Sequence, residues 1–186
     1  MDNRLLGIYL NDQLAAGVAW REVARRAQRN NDGSDLGDAL DRVATAIAED
    51  VAMFEQIMQR LGLRKNPVKI ALAIAGERAG RLKLNGRLRS YSPLSRFWEL
   101  DILVYGFEGK KVLWQNLRDC ARLGERLPDI DFDELIARAQ RERDEIEPFR
   151  LAAGAEALGG APGGAGELRR SSGGLRARML GERTSH

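Results

Sequence analysis

The chain has 186 residues, 44% hydrophobic and 31% charged, with a formal net charge of +3. That balance excludes both a wholly disordered chain and a membrane-embedded one, since no run of about 18 uninterrupted apolar residues is present to cross a bilayer. A single cysteine, Cys120, allows no internal disulfide, and Met1-Asp2-Asn3-Arg4 does not begin a secretory leader, so a cytoplasmic protein is expected.

Five helices are expected. The first covers about Asn3 to Asn30, where Leu6, Tyr9, Leu10, Val18, Trp20, Ala24 and Ala27 keep a rough helical period. Asn30-Asn31-Asp32-Gly33-Ser34 reads as a loop, because these side chains satisfy their own backbone or tolerate positive φ. The second helix, Asp35 to Leu61, carries the clearest stripe: Leu36, Leu40, Val43, Ile47, Val51, Phe54, Met58 and Leu61. Gly62 follows as a helix-ending residue. The third, shorter and basic, starts at Asn66-Pro67 and is expected to end near Lys83. Ser92-Pro93 opens a fourth helix running to about Leu123-Gly124, apolar on nearly all sides from Phe97 to Phe107. Asp131, with Glu134 three residues on, opens the fifth, which Pro148 is expected to end or kink.

From Gly154 onward glycine dominates and large apolar residues are sparse, a composition that cannot offset its own ordering entropy. The expected organisation is all-α: residues 1–153 form an up-and-down bundle of four long helices plus one shorter basic helix, and residues 154–186 form a disordered Gly/Arg-rich tail.

The residue inventory excludes much chemistry. The only histidine, His186, is the last residue, so Ser-His-Asp and Cys-His catalysis and His-based zinc sites have no basis in the bundle. There is no GxGxxG after a strand and no Walker-type phosphate loop. Cys120 reads as a small buried hydrophobe. No catalytic residue and no cofactor is expected.

Several polar residues fall on apolar stripes at 100° per residue. Gln13 lies in line with Leu6, Trp20 and Ala24, and Asp50 stands among Val43, Ile47, Phe54 and Ile57. Asp101 and Glu108 share a face with Leu94, Val104, Tyr105 and Val112, and Arg143 lies between Ala139 and Ile146. A lone buried carboxylate costs several kcal/mol, so such groups are paired, metal-bound or protonated. Two readings follow. In the favoured one, Arg143 and Gln13 satisfy Asp50, Asp101 and Glu108 in a buried polar layer. In the other, Asp50, Asp101 and Glu108 converge on a metal or small ligand.

The stretch Ile47-Ala48-Glu49-Asp50, continuing to Phe54-Glu55-Gln56-Ile57-Met58-Gln59-Arg60-Leu61-Gly62, with long helices on both sides, resembles the ferritin-like superfamily and a group of hypothetical bacterial proteins. The resemblance implies a four-helix core over roughly residues 5–150. Ferritin-like di-iron sites use Glu-x-x-His pairs. None occurs in this sequence, so the resemblance implies the layout without the metal chemistry.

Nine Lys/Arg and one acid lie in residues 64–96, beside Tyr91, Phe97 and Trp98. Arg78, Arg81, Lys83, Arg87, Arg89 and Arg96 are therefore candidate contacts for nucleic acid or an anionic membrane surface. The leading expectation is a non-catalytic bundle acting on a protein partner or by homo-oligomerisation. Ligand binding in the core and anionic-surface binding are its alternatives.

Overall fold

Short polar side chains set where the helices begin. The computed structural model describes residues 3–80 and 91–159, with side chains over 4–76 and 91–159. Ser34 accepts the Gly37 N–H at 3.1 Å and starts a helix at Asp35. Asn66 accepts the N–H groups of Val68 and Lys69 at 3.1 and 3.2 Å. Ser92 and Ser95 form a reciprocal capping box that spans Pro93, and Asp131 accepts the Glu134 N–H at 2.9 Å. Each cap satisfies N–H groups that have no partner within the helix.

The elements are α1 (Asn3–Asn30), α2 (Asp35–Arg60), α3 (Pro67–Gly80), α4 (Pro93–Gln115), α5 (Leu123–Arg126) and α6 (Phe132–Leu158), with a π-helical turn at Asn116–Cys120. Gly62, at φ 67°, ends α2: its N–H reaches Gln59 O and the next N–H, of Leu63, reaches Met58 O. Among the described residues there is no strand.

Three expectations change. The fourth helix does not continue to Gly124. It loosens after Gln115 into wider turns, with Ala121 N–H bonded to Asn116 O five residues back, and Arg122 then takes the left-handed conformation at φ 52°. Pro148 does not end α6: it lies on the exposed side, and the helix runs through it to Leu158. Gly154 does not begin a tail. It lies inside α6 against Phe97, next to buried Ala153, and the helix continues to Leu158. The rest of the expected tail, from residue 160, lies outside the described residues.

The four long helices form the bundle, and cross-helix contacts give its connectivity. α1 and α2 make a hairpin through residues 31–34. α4 runs antiparallel to α1, pairing Glu99 with Arg26 at 2.6 Å near one end and Asn116 with Tyr9 at 3.5 Å near the other. α6 runs antiparallel to α4 and α2, with Arg150–Asp101 at 3.0 Å and Arg42–Glu145 at 2.7 Å. Every neighbouring pair is thus antiparallel, as in an up-and-down bundle, but α2 and α4 are parallel and diagonal. The link between them therefore crosses the length of the bundle. It leaves from Asn66, whose N–H meets Asn11 at 2.6 Å, and arrives at Tyr91, whose hydroxyl meets Asn31 at 2.9 Å. α3 occupies this crossover and packs along α1.

The core is divided. One apolar cluster contains Leu10, Leu14, Phe54, Met58, Trp114, Leu117 and Phe132. The other contains Ala24, Leu40, Ile47, Leu103, Phe107 and Ile146. Between them, at the waist of the bundle, stand buried charges.

Candidate functional site

Asp50 on α2, Lys110 on α4 and Glu142 on α6 are all more than nine-tenths buried. Lys110 sits on the stripe Leu103–Phe107–Lys110–Trp114–Leu117, and Glu142 on Leu135–Ala139–Glu142–Ile146. Alternating four- and three-residue steps aim both into the core. The Lys110 ammonium donates to Asp50 at 2.5 Å and to Glu142. Arg138, one turn before Glu142, donates to Asp50 and lies 3.6 Å from Glu142. Two buried carboxylates and two cations thus alternate around a closed ring, and exposed Glu49 also meets Arg138 at 3.3 Å. Lys110 Nζ also lies 5.7 Å from the Trp20 ring centre and 5.4 Å from that of Phe107, within reach of both π faces. Burial pushes the Glu142 carboxyl above its ordinary range, although Lys110 opposes that shift.

A cavity of about 190 Å³ adjoins this ring, between α1, α2 and α4. Leu14, Ile47, Val51, Phe54 and Leu113 are among its apolar lining, with Gln13, Asp50 and Lys110 as the polar and charged groups. Exposed Ala16 and Gly109 mark its mouth on the α1/α4 seam. Trp20 and Trp114 line it as well. The indole N–H of each is buried and meets no acceptor. A buried donor left unpaired costs about 1–3 kcal/mol.

The expected polar layer is redistributed. Asp50 is buried, but Lys110 and Arg138 satisfy it, not Arg143. Asp101 is buried and paired with Arg150 at 3.0 Å, nearer the α4 N-terminus. Glu108 is not inward: it is exposed, with Lys111 at 2.9 Å and Arg143 at 3.5 Å. Arg143 is part-buried and also meets Asp144 and Glu147. Gln13 is part-buried and lines the cavity. Asp50, Asp101 and Glu108 therefore bond to three different sets of cations and do not converge on a metal. Cys120 is exposed rather than buried, because the π turn swings it off the core face.

Of the candidate anion contacts, Arg96 pairs with Glu156 at 3.2 Å. Arg81, Lys83, Arg87 and Arg89, and the side chain of Arg78, lie outside the described residues. Within the same basic block, Lys65 pairs with Glu55 and Lys69 with Asp12. Among the described residues no helix is long and apolar enough to cross a membrane.

Comparison with family models, curated proteins and solved structures finds no match. The waist has its own chemistry to offer: a closed ion-pair ring, an apolar cavity beside it and two unused N–H donors.

Proposed function

We propose that this protein is a non-catalytic helical bundle that binds a small molecule in the cavity between α1, α2 and α4. The observation that carries this reading is the cavity itself, a mostly apolar space of about 190 Å³ lined in part by Trp20 and Trp114, whose indole N–H groups lie unpartnered just behind its wall. Binding sites of this kind are concave, mainly apolar and provided with a few polar groups. The non-catalytic part rests on Asp50, the carboxylate in the cavity lining, whose two oxygens are both bonded to cations.

We read the layout as ferritin-like, supported by two antiparallel hairpins joined by one crossover. The waist does not fit the di-iron centre of such bundles: its two carboxylates are bonded to Lys110 and Arg138, and among the described residues no cluster of metal-ligating side chains forms.

Toluene titration followed by the indole N–H resonances tests the pocket. Trp20 and Trp114 should shift, while exposed Trp98 serves as the internal control. Gly109→Leu places a side chain at the mouth and should abolish the shifts with helicity retained. Unmoved Trp20 and Trp114 signals in the parent protein would refute the pocket.

Self-association is the second reading. It is favoured by Leu94, Trp98, Tyr105 and Val112, an exposed apolar line along α4. That line is about 27 Å long at 1.5 Å per residue. One side chain wide, it offers about 300 Å² against the roughly 800 Å² per partner of a stable complex, so the pocket carries the conclusion. Light scattering that shows a dimer at micromolar concentration would reverse that order.

A further inference from the structure

Resting on the pocket reading, we infer that the ligand is a neutral, ring-sized molecule carrying one acceptor oxygen, such as an aryl ketone, aldehyde or amide. Size is the first constraint. The cavity measures about 190 Å³. An engineered apolar cavity of about 150 Å³ holds benzene, so this one takes a single ring with a short substituent.

Charge is the second constraint. Lys110 and Arg138 are already matched by Asp50 and Glu142, and Arg138 also by exposed Glu49 at 3.3 Å, so no cation is left over. An anionic or cationic ligand would bring an unmatched charge into a low-dielectric wall that has none left to offer. Polarity is the third. Among the residues lining the cavity, the buried polar atoms without a partner are Trp20 Nε1 and Trp114 Nε1, both donors. The complement they lack is an acceptor. Each nitrogen lies just behind the cavity wall, so the proposed bond requires the indole to turn its N–H edge toward the ligand. For Trp20 that edge now packs against Gly106.

A panel of similarly sized probes tests this on the full chain: acetophenone, cumene, benzoate and benzamidine, each titrated by calorimetry and by the indole N–H resonances. Acetophenone should bind roughly 2- to 10-fold more tightly than cumene, the advantage expected of one hydrogen bond. It should also move the Trp20 or Trp114 N–H downfield, with Trp98 unmoved. Benzoate and benzamidine should bind more weakly than either. Trp114→Phe and Trp20→Phe keep a ring and remove the donor, so in one of them the preference for acetophenone over cumene should vanish. Equal binding of acetophenone and cumene to the parent protein would overturn the inference and leave the pocket standing. So would benzoate or benzamidine binding as tightly as acetophenone. Failure of all four, and of toluene, would overturn the pocket as well.

Discussion

Lys110 is a lysine ammonium kept in a bundle interior by two carboxylates and two aromatic faces. The arrangement leaves Glu142 the less fully hydrogen-bonded carboxylate, because Asp50 takes a bond from each cation whereas one Glu142 oxygen has no hydrogen-bond partner. Burial then pushes the Glu142 pKa upward. A carboxyl whose folded-state pKa is raised holds its proton more tightly folded than unfolded. Its contribution to stability is full below its ordinary value of 4.5 and is lost as pH rises through the higher folded value. Asp144, held down by Gln140 and Arg143, and Glu147, held down by Arg150, act in the opposite sense and lose stability as pH falls. Glu142→Gln removes the first effect alone. Urea unfolding of both proteins at pH 4.5 and pH 7 should show the parent losing stability relative to the variant as pH rises, and parallel profiles would refute the assignment. Asp50 was legible in the sequence because α2 has one unambiguous stripe. Lys110 and Glu142 were not, although they sit on four-three stripes of their own. α4 is apolar on several sides, so the stripe through Leu94, Asp101, Glu108 and Val112 competed with the one through Phe107 and Trp114. On α6 the choice between Arg143 and Glu142 is a single residue, a rotation of about 100°.

Helix α4 carries two glycines three residues apart with opposite roles. A methyl group at Gly106 would overlap the Trp20 indole, which packs edge-on to Phe107 with ring centres 4.9 Å apart. A methyl group at Gly109 would meet nothing. Gly109→Ala should therefore stabilise the protein by about 1 kcal/mol, the usual helical preference for alanine. Gly106→Ala should destabilise it by about 1–3 kcal/mol through overpacking. Thermal unfolding of the two variants checks the signs, and a stabilised Gly106→Ala would mean that Trp20 is not held where the cavity needs it. The helix starts were legible because a cap is local chemistry: Ser34, Asn66, Ser92 and Asp131 each bond within three residues. The end of α4 was not. Nothing in Asn116-Leu117-Arg118-Asp119-Cys120 breaks a helix, and the widening to a π turn keeps Leu117, Ala121 and Leu123 in the apolar cluster of Leu10, Phe54 and Trp114 at once.

In the whole molecule, the charged ring separates two apolar clusters and ties α2, α4 and α6 together at one level. Such a layer is a poor source of net stability, because desolvating four charges offsets most of their attraction. What its geometry can supply instead is register. Sliding α4 by one turn against α2 or α6 would take Lys110 away from Asp50 or Glu142 and strand charges in the core. The pairing could not be read from any one helix, since partners lie 60 and 32 positions apart and their meeting depends on the crossover. Two variants separate stability from register. Lys110→Met alone leaves two buried carboxylates facing only Arg138 and should cost about 3–5 kcal/mol. Replacing the ring together, as Asp50→Leu, Lys110→Met, Arg138→Met and Glu142→Leu, should restore that loss and can exceed the parent by about 1–4 kcal/mol. Urea unfolding measures both. If register is what the ring supplies, the fourfold variant should unfold at higher urea while its amide resonances broaden, as the helices sample more than one alignment and the cavity loses its shape. A fourfold variant as unstable as Lys110→Met would show instead that the ion pairs themselves hold the waist together.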